Sequence, residues 1–97
     1  MRFIDYFNRL CSEDQQDVLK NLDAEEKRLR KFLAKFDENQ LNGIAISMND
    51  AFGLDAPELS VVDFIVELYK CQKAEFLCEN VSEFIDDINM FADEEFN

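Results

Sequence analysis

The side chains in this chain best equipped for chemistry are its carboxylates. Asp63 and Glu67, Glu75 and Glu79, and Glu83 and Asp87 each stand at i and i+4, the spacing that sets two side chains together on one helix face. Carboxylates so placed on facing helices can hold Mg²⁺ or Mn²⁺. On a water-facing strip the same spacing gives only a solvated acidic surface. The chain has no His, which removes the commonest general base, the commonest metal ligand and every Ser-His or Cys-His nucleophile pair. Gly43 and Gly53 are its two glycines, too few for a phosphate-cradling loop. Taking Gly43 as the sixth position of a calcium loop puts Glu38, Gln40 and Asn42 at positions one, three and five, but Asn49 where a bidentate Glu is required. The sequence therefore predicts a protein that is not an enzyme and requires no metal and no cofactor.

Cys11, Cys71 and Cys78 are odd in number and lack C-x-x-C spacing. On one helix, Cys71 and Cys78 would lie ~10 Å apart, beyond disulfide reach. All three read as reduced, mostly buried thiols, with no His to activate them.

Charge is divided unevenly. Residues 1–36 carry eight Lys/Arg against seven Asp/Glu, whereas 37–97 carry two Lys against fifteen Asp/Glu, so +1 and −13 sum to the net −12. A field of one sign over more than half a small chain repels nucleic acid and anionic membrane and attracts basic partners. The N-terminal residues, with charges at Arg2, Asp5 and Arg9, carry neither a secretory signal nor a membrane span, and a cytoplasmic location is expected.

Ninety-seven residues with ten Phe and 47% hydrophobic content suffice for one domain with one core. Two Gly and one Pro are too little turn punctuation for a sandwich or barrel, so the expected fold is all-α, a compact bundle of about five helices. The first runs from about Arg2 to Leu10, with Phe3, Phe7 and Leu10 on one face. A Ser12/Gln15 capping box starts the second, and Val18, Leu19, Leu22, Leu29, Phe32, Leu33 and Phe36 continue one stripe. A further Asp23/Glu26 box allows a break near Asp23, but one rod to Phe36 is preferred because no Gly or Pro interrupts it. The third spans about Glu38 to Phe52 and ends at Gly53 in the left-handed conformation, with Leu54 folding back. Asp55-Ala56-Pro57-Glu58 reads as the start of the fourth, which is apolar almost all round from Leu59 to Tyr69 and so central. Asn80 or Ser82 caps the fifth, whose Phe84, Ile85, Ile88, Phe91 and Ala92 face the core. The chain has no internal repeat.

Lys27, Arg28, Arg30, Lys31 and Lys35 form a basic strip. Its acid-to-base pairs Asp23–Lys27 and Glu26–Arg30 favour a solvated, salt-bridged face; the alternative is that the strip pairs with the acidic helices of the same chain or of a second copy. From 82 to 97, Glu83, Asp86, Asp87, Asp93, Glu94 and Glu95 stand without a base, one charge per ~4 Å of helix against ~3.4 Å per phosphate on a DNA strand. Glu67, Glu75 and Glu79 would extend that surface if the last two helices are neighbours. Arg and Lys forks built for phosphate accept carboxylates as well.

In composition, though in no alignable motif, the chain is similar to the small acidic proteins with which bacteriophages inhibit nucleases, restriction enzymes or CRISPR effectors. That resemblance implies a nucleic-acid mimic whose partner is a basic, nucleic-acid-binding protein, with no direct contact to nucleic acid or membrane. A second expectation is an immunity protein, antitoxin or secretion chaperone neutralising one cognate basic protein through exposed aromatics such as Phe3, Tyr6, Phe7 or Phe96. The third is a structural subunit forming a homodimer through Leu22, Leu29 and Phe36, which Glu25 inside that seam disfavours as a long coiled coil.

Overall fold

Each helix boundary is set by a specific competitor for the backbone, and in several places the competitor is tertiary. The computed structural model describes residues 2–50, 52–77 and 80–96, the last four as backbone. Among them the helices are α1 (Phe3–Asn8), α2 (Ser12–Leu19), α3 (Leu22–Leu33), α4 (Glu38–Asn49), α5 (Val61–Phe76) and α6 (Val81–Phe96), and no strand occurs. The expected all-α bundle is present, with one helix more than counted from the sequence.

The extra helix comes from a break in the expected rod, at Lys20-Asn21 rather than near Asp23. Asn21 leaves helical geometry at φ −125°, ψ 14° and becomes the N-cap of α3. Val18 before the break and Leu22 after it are both buried. Neither expected capping box in this region forms. Cys11 is the N-cap of α2, and the Gln15 amide donates to the Phe7 carbonyl at 3.0 Å, tying α2 to α1. Glu26 is drawn away to Arg30 and Lys70. A complete box occurs instead at α4, where Asp37 Oδ1 accepts the Gln40 N–H at 2.8 Å and Gln40 Oε1 accepts the Asp37 N–H at 3.0 Å.

α4 stops at Asn49, three residues earlier than its apolar spacing suggests. The Asn49 side chain accepts the Leu54 N–H at 2.7 Å and donates to the Leu54 carbonyl at 3.0 Å. Gly53 takes φ +62° and donates to the Asn49 carbonyl at 2.8 Å, the left-handed stop expected from the sequence. Leu54 folds back and is buried.

The reading of Asp55-Ala56-Pro57-Glu58 as a helix start is incorrect: residues 53–60 form an irregular strap and α5 begins at Val61. Leu54 and Ala56 are both buried, so the strap is anchored at alternate residues. Glu58, which a capping box begun at Asp55 would need three residues on, pairs with Arg2 instead. Ser60 is the cap that forms, its Oγ accepting the Asp63 N–H at 3.3 Å.

α5 packs on α1, α2, α3 and α4, while α6 packs on α3 and α4. Ile65, Leu68 and Tyr69 of α5 are fully buried with Leu29, Leu33, Ile44, Phe84 and Ile88, each such side chain contributing ~1.5–3 kcal/mol of burial. The Tyr69 ring meets Phe84 edge-on at 5.2 Å, joining α5 to α6. Asn80 caps α6, its Oδ1 accepting the Glu83 N–H at 3.0 Å.

Candidate functional site

α6 is amphipathic by the usual rule. Val81, Phe84 and Ile88 are buried, Ile85, Phe91 and Ala92 are half-buried, and Glu83 and Asp86 are exposed with Asp87 half-buried beside them. Among the described residues none of these three acids forms an ion pair. The helical backbone continues through Phe96, so Asp93, Glu94 and Glu95 lie on the same helix, but their side chains and that of Phe96 fall outside the described residues, as do Cys78 and Glu79.

The α5 carboxylates do not join this strip. At ~100° per residue, Glu67 lies about 200° from Tyr69, the residue that faces α6. Glu67 is instead covered by α1: Arg2 Nε donates to it at 2.8 Å and the Phe3 N–H at 3.3 Å, leaving its side chain 14% exposed. Arg2 also reaches Glu58, so one guanidinium bridges α5 and the strap. The two carboxylates raise the Arg2 pKa, the Glu67 hydrogen bond most. Glu75 is exposed on the α1 side as well, lining a cavity of about 370 Å³ with Tyr6, Phe52, Gln72 and Phe76.

Of the basic strip of α3, Arg30 is the member ion-paired among the described residues. Arg30 bonds Glu26 at 3.2 Å and Asp63 of α5 at 2.8 Å, Lys70 bonds Glu26 at 2.7 Å, and Arg28 donates to Ser82 of α6 at 2.8 Å. The hydrogen bond from Lys70 holds Glu26 below the usual carboxylate range, and Arg30 does the same for Asp63. Lys35 lies 4.2 Å from the Phe32 ring centroid. Lys27 and Lys31 are exposed.

Two features were not foreseen. Glu25 turns inward and accepts the Tyr69 hydroxyl at 2.6 Å and the Lys73 ammonium on its other oxygen, with the Glu25 and Lys73 side chains only 13% and 10% exposed. The sequence signal was a polar residue interrupting each of two apolar stripes, Glu25 between Leu22 and Leu29, and Lys73 after Tyr69. The second is an open groove of about 650 Å³ between α4 and the strap. The helix start read into residues 55–58 concealed it.

The aromatic candidates Phe3, Tyr6 and Phe7 are half-buried and packed inward. Phe3 meets Phe7 at 5.5 Å and joins the core edge. Tyr6 meets Phe52 at 6.3 Å. The exposed large apolar residues are others, among them Ile46, Phe76 and Met90.

Cys71 is buried as expected, and desolvation pushes its thiol up to about 12. Cys11 is exposed, contrary to expectation, because the N-cap position between α1 and α2 belongs to neither apolar stripe. No group of three or more acids or cysteines arranged for a metal occurs among the described residues, and none of their helices is long and apolar enough to cross a membrane. No protein-family model, curated protein or solved structure matches this chain.

Proposed function

We propose that this chain acts by binding rather than catalysis: the carboxylates of α6 occupy the phosphate-binding groove of a basic, nucleic-acid-binding protein and inhibit it, as phage anti-defence proteins do. Its place of action is then the cytoplasm of the producing or infected cell. The observation that carries the reading is the contrast between α6 and the contact of α3 with α5. Among the described residues, Arg30 of α3 and Lys70 and Lys73 of α5 are bound to acids within the chain, whereas Glu83, Asp86 and Asp87 on α6 pair with no cation. An acidic surface left uncompensated inside the molecule is available to a partner's Arg and Lys side chains.

The test is capture of partners by the tagged chain at low and physiological salt, with release by added duplex DNA. Mimicry requires a partner that DNA displaces, that salt weakens steeply, and that the triple variant Glu83→Lys/Asp86→Lys/Asp87→Lys no longer holds. A partner insensitive to DNA, salt and those substitutions would overturn it. That pattern would favour the immunity, antitoxin or chaperone reading, which the exposure of Ile46 at 71% and Met90 at 59% supports through apolar contacts.

A further inference from the structure

The geometry points to a second contact: the groove between α4 and the strap receives an apolar side chain flanked by Arg or Lys on a segment of the basic partner. This deepens the proposed function and rests on it for the partner's charge.

The walls are apolar. Ile46, Leu54, Ala56, Leu59 and Phe64 line the groove, and Ile46 has the greatest fractional exposure among the large hydrophobic side chains described. Its volume of about 650 Å³ lies within the ~300–1,000 Å³ of functional pockets. The groove is also pre-shaped. Asn49 holds both backbone groups of Leu54, and Gly53 makes the left-handed turn that starts the strap. The burial of Leu54 and Ala56 fixes the strap against the core, so little ordering opposes an incoming side chain.

Charge selects the occupant. Asp50 and Asp55 lie on the lining, are exposed, and form no ion pair among the described residues, and no Lys or Arg lies on the lining. A cationic group beside the apolar anchor is therefore attracted, and an acidic one repelled. A second copy of this chain is disfavoured, since at net −12 each copy the acidic rims would have to approach one another.

The experiment titrates the ¹⁵N-labelled full chain with three peptides in low salt. The first is acetyl-Gly-Ser-Arg-Phe-Leu-Arg-Ser-Gly-amide. The second replaces Phe-Leu by Ser-Ser, and the third replaces both Arg by Glu. The expected result is that the first peptide shifts amides of Ile46, Asp50, Gly53 and Asp55, that the other two bind it about tenfold or more weakly, and that Ile46→Glu abolishes the shifts. Ile46 is exposed, so the variant keeps the fold, which its spectrum verifies.

Shifts confined to α6 and equal for the first two peptides would overturn the groove while leaving the acidic-surface reading intact. Binding of the Glu peptide as tightly as the Arg peptide would overturn the basic partner segment. The absence of binding by any peptide, on the groove or on α6, would overturn both.

Discussion

The buried ion pair between Glu25 and Lys73 should be the most strongly coupled pair in the protein. Replacing Lys73 by Met keeps the aliphatic stem and helix propensity but leaves the Glu25 carboxylate with the Tyr69 hydroxyl and no cation. Removing one member of a buried pair costs ~3–5 kcal/mol. With the two side chains still 13% and 10% exposed, about 2–4 kcal/mol is the appropriate expectation. Glu25→Met strands the ammonium and should cost a similar amount. The double variant Glu25→Met/Lys73→Met leaves no unpaired charge and two side chains of suitable length, so it should lose no more than about 2 kcal/mol, because apolar replacement of a whole buried pair is often neutral.

Urea unfolding followed by far-ultraviolet circular dichroism at pH 7 measures all four proteins. The coupling energy should reach about 2 kcal/mol or more, and each single variant should melt about 8–32 °C lower, at ~4–8 °C per kcal/mol for a domain of this size. Repeating the cycle in 1 M salt, where the Debye length is ~3 Å, should leave most of the coupling intact, since the pair is shielded from solvent. Singles that each cost under about 0.5 kcal/mol, or a double variant equal to their sum, would refute the claim that Glu25 and Lys73 act as a buried unit.

Three further outcomes follow from the geometry. Asp63→Asn should lower stability at pH 7 by at most about 1 kcal/mol, since Asp63 and Arg30 are both partly exposed; because Arg30 lowers the Asp63 pKa from 3.8, that contribution is full above pH 3.8 and lost as pH falls through the depressed value, so urea midpoints of variant and wild type should converge in strong acid. Iodoacetamide at pH 8 should modify Cys11 in the folded protein while Cys71, buried with its thiol pushed up to about 12, reacts only in denaturant, as peptide mass mapping would record. Leu77 ends α5 at φ +61° while exposed, so Leu77→Gly should raise stability by roughly 1 kcal/mol, and a lower melting temperature would contradict that reading.

The fold was legible where periodicity and local chemistry agreed. The α4 stripe Leu41, Ile44, Ala45 and Met48 is buried, Gly53 stops the chain in the left-handed region, and Asn80 caps α6. It was illegible where a distant residue claimed the group a local motif needed. Glu26 answers to Lys70 and Arg30 rather than to a cap at Asp23. Glu58 answers to Arg2, fifty-six residues away in sequence, and the capping box at Asp55 dissolves. The Asp37/Gln40 box, by contrast, forms in full, and among the described residues no ion pair competes for either side chain. Of the candidate site, the acidic face of α6 could be read from spacing alone. The diversion of Glu67 to α1 could not, because it depends on which side of α5 that helix occupies.

That diversion bears on what the net charge means. Glu25, Glu26, Glu58, Asp63 and Glu67 are matched by Arg2, Arg30, Lys70 and Lys73, so paired charge helps hold the central helix against α3 and α1. Described acids without an ion pair lie outside those contacts on α6, at Asp50 and Asp55 of the groove, and also on α2 at Glu13, Asp14 and Asp17. Neutralising α6 should therefore leave the packing of α5 unchanged, and stability and partner binding become separable by substitution. If acidity served only solubility, there would be no reason for one charge-reversed helix to matter more than another. Charge reversal on α6 compared with an equal number of reversals at Glu13, Asp14 and Asp17 of α2 poses that alternative directly: equal loss of partner binding would assign the effect to net charge, and loss confined to α6 would assign it to the placement of those carboxylates.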